Sequence, residues 1–275
     1  MIVARHSPTV ALRFVATLLV ALGCREGAKP AATSTAGAQS STLDASGEVV
    51  IARPSQPYVV EPSASPGTVT GTVTTNAPIA LGAPQPTGRD SALCGASIPD
   101  QSVSQQGNAL GGAVVWLDGV RRGKPFPLER RLELESVDCK LSPRVQAAVT
   151  RSAVNVLGHD DFRQHLSFLA GGEREPRASI LLGKDDQVIP TERPFASPGL
   201  VVVRDVDHSW PTAYIAVFDH PYFAVTAPNG TFTIDGVPPG KYKVMAWHER
   251  TKRAEQLVEV GAGVTARVEL VMGAK

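Results

Sequence analysis

The sequence predicts an all-β protein built as a β-sandwich. Three observations carry that expectation. Short segments rich in Val, Ile, Thr and aromatic residues alternate apolar and polar with a period of two, which is the strand signature. Gly, Pro, Asn and Asp interrupt them at close to the spacing of a sandwich, about 8–12 residues. Apolar residues make up 43% of the chain but aromatics only 5%, so Val, Ile, Leu and Ala must supply most of the core.

The chain opens with a different signature. Arg5, His6 and Arg13 form a basic start, residues 14–22 (FVATLLVAL) a short apolar run, and Gly23-Cys24 follow at once. That order is a signal-peptide pattern, and the run is short of the ~20 residues that span a bilayer. Ala21-Leu22-Gly23-Cys24 resembles a bacterial lipobox, although Leu is commoner where Ala21 stands. The expectation is a signal peptide over 1–23 and a diacylated Cys24, giving a protein held on the periplasmic side of a bacterial cell envelope. Two acyl chains suffice for stable anchoring. An ordinary signal peptide cut downstream is the alternative. Arg25 leaves inner and outer membrane both open.

Residues 24–66 are rich in Ala, Ser, Thr, Gly and Pro without a sustained period and read as a flexible tether. Strand patterns begin at residues 69–74 (VTGTVT). They continue at 112–118 (GAVVWLD), 131–135 (RLELE), 145–156, 179–182 (SILL), 199–204 (GLVVVR) and 213–218 (AYIAVF). Further patterns follow at 231–234, 242–247, 255–260 and 265–271. Residues 145–155 also fit a helix. Pro228-Asn229-Gly230 predicts a hairpin turn and Pro238-Pro239-Gly240 a second tight turn.

With Cys24 assigned to lipid, Cys94 and Cys139 remain. In an oxidising compartment such a pair reads as one disulfide, closing a loop of about 45 residues that is worth roughly 4 kcal/mol. A metal site or two free thiols are the alternatives, and neither Cys has a Cys or His neighbour at ligand spacing.

The block from Asp219 to Glu249 carries a family resemblance. DHPYFAVT (219–226), PNGTFTI (228–234) and VPPGKYKVMAWHE (237–249) resemble bacterial carboxypeptidase-regulatory-like (transthyretin-like) domain proteins. The longer form is similar to periplasmic proteins that join such a module to a cupredoxin-like domain. The resemblance implies a cupredoxin-like Greek-key sandwich over 67–218 and a small regulatory-like β module over 219–275. His220, Trp247 and His248 belong to its structural motif.

In that narrower set, an Asp-x3-His segment and a Cys-x-x-His-x-Trp-Met loop hold type 1 copper, which needs two imidazoles, a thiolate and a weak thioether. Here Asp161 to His165 matches the first, while the loop runs Asp205-Val206-Asp207-His208-Ser209-Trp210-Pro211. His208 and Trp210 match, but Asp205 stands at the thiolate position and Pro211 at the thioether position. Cys94 and Cys139 lie well before the loop and are not expected to substitute. A blue copper centre is therefore not expected. A nitrogen/oxygen site for Cu(II) or Zn(II) on His165 and His208, with Asp161 or Asp205, is the alternative to no cofactor.

Other classes have less support. A balance of 27 basic against 26 acidic residues, net +1, lacks the basic footprint of a nucleic-acid binder. There is no Gly-x-Ser-x-Gly, no HExxH and no phosphate loop, and no enzyme is expected. Asp160-Asp161 and Asp185-Asp186 read as turns, because neighbours on a strand point to opposite faces. Trp116, Trp210 and Trp247 read as core, with a carbohydrate platform as the alternative. The expected role is a structural or binding subunit of an envelope complex, beside a redox or cytochrome partner. Metal binding through His165 and His208, and carbohydrate binding, are the other readings.

Overall fold

The computed structural model describes residues 57–171, 173–183, 187–191 and 195–275. The expected signal segment, Cys24, most of the expected tether and Asp185-Asp186 lie outside them. Among the described residues no helix is long and apolar enough to cross a membrane.

The strands that build the molecule are, in order, β1 (Gly67–Thr75), β2 (Ser104–Gln106), β3 (Ala109–Gly111), β4 (Val114–Asp118), β5 (Arg131–Val137), β6 (Lys140–Ser142) and β7 (Val145–Val149). Next come β8 (Ala153–Gly158), β9 (Gln164–Ala170), β10 (Ala178–Leu182), β11 (Gln187–Pro190), β12 (Gly199–Asp205) and β13 (Thr212–Phe218). The last are β14 (Phe223–Val225), β15 (Thr231–Val237), β16 (Gly240–Trp247), β17 (Ala254–Val260) and β18 (Thr265–Met272). The fold is all-β, and its four main sheets form two sandwiches.

One sandwich is continuous in sequence. Its sheets run β6-β5-β8-β11 and β7-β13-β12-β9-β10, and Leu134, Val154, Phe168, Val203 and Ile215 fill the space between them. The other is assembled from both ends of the described chain. One of its sheets runs β15-β1-β3-β2, with β18 lying parallel to β1 on the far side, and the other runs β14-β4-β16-β17. Val69, Leu110, Val115, Tyr222, Ile234, Val244 and Leu270 form its core. A boundary at 218/219 therefore does not follow the sheets. Residues 67–118, expected within the cupredoxin-like unit, share a core with residues 222–272, and the other sandwich is inserted between them.

The two sandwiches stack face to face. In β4, β13 and β16 successive side chains alternate between faces, and here both faces are covered. Val115 and Leu117 enter one core while Val114 and Trp116 point away from it, and Ile215 and Val217 are matched by Ala216 and Phe218. The outward set, with Leu200, Met245 and Trp247, makes a third apolar layer between the sandwiches. This double burial explains the continuous apolar runs VVWL and IAVF.

Local expectations fare unevenly. Residues 145–155 are two strands, because Arg151 turns the chain at φ 66° and each strand finds a partner, β7 beside β13 and β8 beside β5. The turn at 228–230 forms, with Gly230 at φ 76°. It carries the chain from β14 in one sheet to β15 in the other and closes no hairpin. The end of the tether is bound: Val59–Val60 pairs with Arg122–Gly123, and the Tyr58 hydroxyl donates to the Lys124 carbonyl at 2.7 Å.

Candidate functional site

The candidate site lies where β12 ends. Val201, Val203 and Asp205 alternate into the core of the inserted sandwich, so Asp205 is the last inward residue, with a fully buried side chain. Its Oδ1 accepts the backbone N–H of Asp207 at 3.0 Å and of His165 at 3.2 Å. Its Oδ2 lies 2.7 Å from Nδ1 of His208. The other ring nitrogen of His208, Nε2, lies 3.1 Å from Oδ2 of Asp90, 118 residues away in sequence. The imidazole packs edge-on to Phe162, centroids 5.2 Å apart, and lies 4.9 Å from Trp210.

Asp90 arrives on an arm. Between β1 and β2, residues 76–103 leave the first sandwich and lie over this end of the inserted one. Gln85–Pro86 pairs with Ser97–Ile98, and Ser209 donates to the Gln85 side chain at 2.8 Å. Cys94 and Cys139 form a disulfide, Cα atoms 5.7 Å apart. Cys139 sits in the β5–β6 turn at φ 62°, its amide held at 2.9 Å by Oδ1 of Asp160, whose Oδ2 accepts the Ser136 hydroxyl. Cys94, Cys139, Ile98, Phe162 and Trp210 form one apolar cluster. The disulfide thus joins the arm to the wall around His208, a proximity that sequence distance had argued against.

The arm is also tied back. Oδ2 of Asp100 accepts the Gly82 amide at 2.6 Å and Nη1 of Arg250 at 2.8 Å. Burial opposes ionisation there, yet these bonds and the Ser102 contacts hold the Asp100 carboxyl well below the usual carboxylate range. Between the arm and the sandwiches runs an open groove of about 610 Å³, lined among others by Gln85, Asp100, Arg144, Arg204, Tyr214 and Glu249. Arg144 crosses between the sandwiches, donating through Nε and Nη2 to Glu249 at 2.7 and 3.0 Å, a bidentate geometry. The Tyr214 hydroxyl donates to the same carboxylate at 3.1 Å, and burial with that charge pushes it up to about 12.

The expected metal pair does not assemble. His165 follows the inward-pointing Gln164 on β9, so its ring projects from the opposite face of the sheet and meets the Ser179 hydroxyl at 2.7 Å. Only its backbone N–H reaches Asp205. Both ring nitrogens of His208 are taken by carboxylates. Among the described residues no group of three His, Cys, Asp or Glu side chains is arranged to hold a metal ion. The residues here do not fit type 1 copper: the thiolate position is a hydrogen-bonded carboxylate and the thioether position is Pro211.

His220 and His248 repeat one local geometry. Each is buried, and each Nδ1 accepts the amide two residues on, that of Tyr222 or Arg250, at 3.2 Å. Burial, with Arg121 nearby, pushes His220 down to about 3. Burial likewise takes His248 to about 4, against the opposing pull of Glu249. Trp116, Trp210 and Trp247 are 2%, 8% and 6% exposed and form no open aromatic face.

Against known proteins, residues 195–268 match the family model described as polysaccharide lyase family 4, domain II. That stretch runs from the inserted sandwich into the second half of the first. No curated protein matches. Similar solved structures include a copper-containing nitrite reductase (NirK) from Thermus scotoductus SA-01, at 19% identity over 36% of this chain with TM-score 0.28. The match spans 24% of that chain, so this chain covers about a quarter of the reductase. A mutant of amicyanin in its reduced Cu(I) form matches at 13% identity over 32% of this chain and 81% of its own, TM-score 0.27. A pseudoazurin from Sinorhizobium meliltoi matches at 16% over 32% and 72%, TM-score 0.24.

Proposed function

We propose that this chain is a non-catalytic, lipid-anchored envelope protein that works as a structural or binding subunit of a larger assembly, beside a redox or cytochrome partner. One observation carries the reading. The position where a copper thiolate would stand is held by Asp205, whose carboxylate is committed to His208 and two backbone amides. A blue copper centre depends on its Cu–thiolate bond, so electron transfer through such a centre is not this chain's task. What remains is a rigid pair of sandwiches, locked by an apolar layer and by Arg144–Glu249. That is the construction of a part that holds geometry.

The test has two arms. Metal analysis and the visible spectrum of the purified, disulfide-intact mature chain are expected to show no stoichiometric copper and no intense thiolate band. A stoichiometric blue centre overturns the reading. Affinity purification from native membranes is expected to recover a stoichiometric envelope partner, and recovery of the chain alone counts against the subunit role. Cys24→Ser is expected to move the chain from the membrane to the soluble fraction.

A further inference from the structure

The loop that joins the two sandwiches, residues 119–130 between β4 and β5, carries chemistry that the scaffold reading does not use. Within residues 121–131 (RRGKPFPLERR) five residues are basic and only Glu129 is acidic. Arg122 meets Glu61 at 3.2 Å and Lys124 meets Asp235 at 2.5 Å, while Arg121 acts on the carboxyls of Asp118 and Asp219. Arg130 and Arg131 have neutral partners instead. The Arg130 guanidinium lies 4.9 Å from the centre of the Phe126 ring and donates to the Pro127 carbonyl at 3.4 Å, and Arg131 donates to the Asn155 side chain at 2.9 Å. Exposed Arg151 stands in the neighbouring turn, where the Ala153 amide donates to the Arg130 carbonyl at 2.8 Å.

Apolar side chains sit among these cations. Leu128 is fully exposed, and Pro125 and Pro127 are exposed beside it. The end of the expected tether enters at this same place. Tyr58 packs edge-on against Phe126, centroids 5.2 Å apart, and Val59–Val60, each more than half exposed, pair with Arg122–Gly123. We propose that this face is a membrane-docking surface, with Leu128 entering the interfacial layer of a bilayer and Arg130, Arg131 and Arg151 meeting its anionic phospholipid headgroups.

This docking rests on the lipid-anchored reading, which brings a bilayer to this end of the molecule. The composition of residues 24–57 reads as a flexible tether, and at that length such a tether has a root-mean-square span of about 30 Å. Entering at Tyr58, it holds the loop at high effective concentration over the bilayer. A contact too weak to retain the chain by itself is then enough to orient it. Each arginine near an anionic surface changes affinity about fivefold, and burial of a leucine side chain about tenfold or more. The orientation has a consequence for the site. β5 leads about 20 Å from Arg131 to Val137 and ends at the turn that Cys139 joins to the arm. Docking through the loop therefore turns the arm, the Asp205–His208 pair and the open groove away from the bilayer, towards the aqueous side.

The experiment floats the full mature chain carrying Cys24→Ser, so that no acyl chain contributes, with vesicles of mixed phosphatidylglycerol and phosphatidylcholine or of phosphatidylcholine alone. The expected result is weak, reversible binding to the anionic vesicles at low salt and none to the neutral ones. Binding is expected to vanish in about 1 M salt, where the Debye length is about 3 Å. Leu128→Glu is expected to weaken it at least about tenfold, and Arg130→Ala and Arg131→Ala about fivefold each. Glu129→Gln removes the loop's acidic residue and is expected to tighten binding by about the same factor. Leu128 and Glu129 are exposed, so these two variants test the surface without loss of a buried contact.

A chain with the native loop that binds no anionic vesicle at low salt overturns the proposal without recourse to any variant. So does equal binding to neutral vesicles, or binding that Leu128→Glu leaves unchanged. A dimer in sedimentation velocity that Leu128→Glu dissociates would assign the loop to a second copy of this chain and overturns it too. The anchor reading fails on a different measurement, a native mature chain whose mass shows no acyl group on Cys24. The vesicle result does not depend on that mass, so the two failures are distinguishable.

Discussion

Asp205 and His208 meet at 2.7 Å through Oδ2 and Nδ1, and the same carboxylate closes the turn between them by accepting the Asp207 amide at 3.0 Å. With the His165 amide, three donors converge on a side chain that has no exposed surface. Asp205→Ala is expected to lower the unfolding free energy by about 3 kcal/mol, since buried donors lose their acceptor. Asp205→Asn, which keeps one acceptor oxygen, is expected to cost about 1 kcal/mol. Urea denaturation of the three proteins checks the order.

Loss of the Cys94–Cys139 bridge lengthens the unfolded chain's freedom by a loop of 45 residues. Cys94→Ser is expected to destabilise by about 4 kcal/mol in the chain-entropy model. Denaturant midpoints with and without a phosphine reductant measure it directly: the wild type should shift and the variant should not.

Acid is expected to destabilise the protein through His220 and His248. Both are neutral when folded, with values of about 3 and about 4, below the ordinary 6.5 of the unfolded chain. Between those limits the unfolded state binds more protons, so stability rises with pH. Their contribution is complete above about pH 6.5 and is lost as pH falls towards 4 and then 3. The slope approaches about 1.4 kcal/mol per pH unit for each histidine. A urea midpoint flat from pH 8 to 7 and falling from 6.5 to 4.5 is the expected curve, flattened by His220→Gln if the variant folds.

Gly71 marks the closest approach in the first sandwich. A Cβ there would stand 2.0 Å from the Val268 carbonyl oxygen and 2.9 Å from the Phe232 ring. The oxygen belongs to backbone of the parallel neighbour β18, which cannot move alone. Gly71→Ala is expected to cost at least about 3 kcal/mol, read as a lowered melting temperature or lost soluble yield.

Arg144 and Glu249 couple the two sandwiches through two short bonds, with side chains only 21% and 11% exposed. Glu249→Ala leaves a largely buried guanidinium with one remaining carbonyl partner, Thr212, and is expected to cost about 3 kcal/mol. The apolar layer around Trp116, Phe218 and Trp247 persists, so calorimetry should still show one transition at a lower temperature.

Much of the secondary structure was legible because strand signals are local. Alternation at 69–74 and 131–135 and the apolar runs at 114–117 and 215–218 became β1, β5, β4 and β13. The β9 segment, Gln164–Ala170, carries no strand expectation, and only its first two residues fall within the Asp161–His165 ligand spacing. The partition into sandwiches was not legible at all. Thr68 to Thr75 pairs with Thr265 to Met272, and nothing in a strand's own periodicity says which distant strand it will join.

The site divides along the same line. Sequence alone marked Asp205 and Pro211 as departures from a copper loop, and it singled out His208, Cys94 and Cys139. Only the tertiary structure decided that His165 turns away, that Asp90 closes on His208 from the other sandwich, and that the disulfide lies in the wall around that imidazole. Residue identity sets what chemistry is available at each position. Which groups meet is set by the folding of an arm 118 residues distant onto a buried turn, a long-range packing outcome that no local pattern encodes.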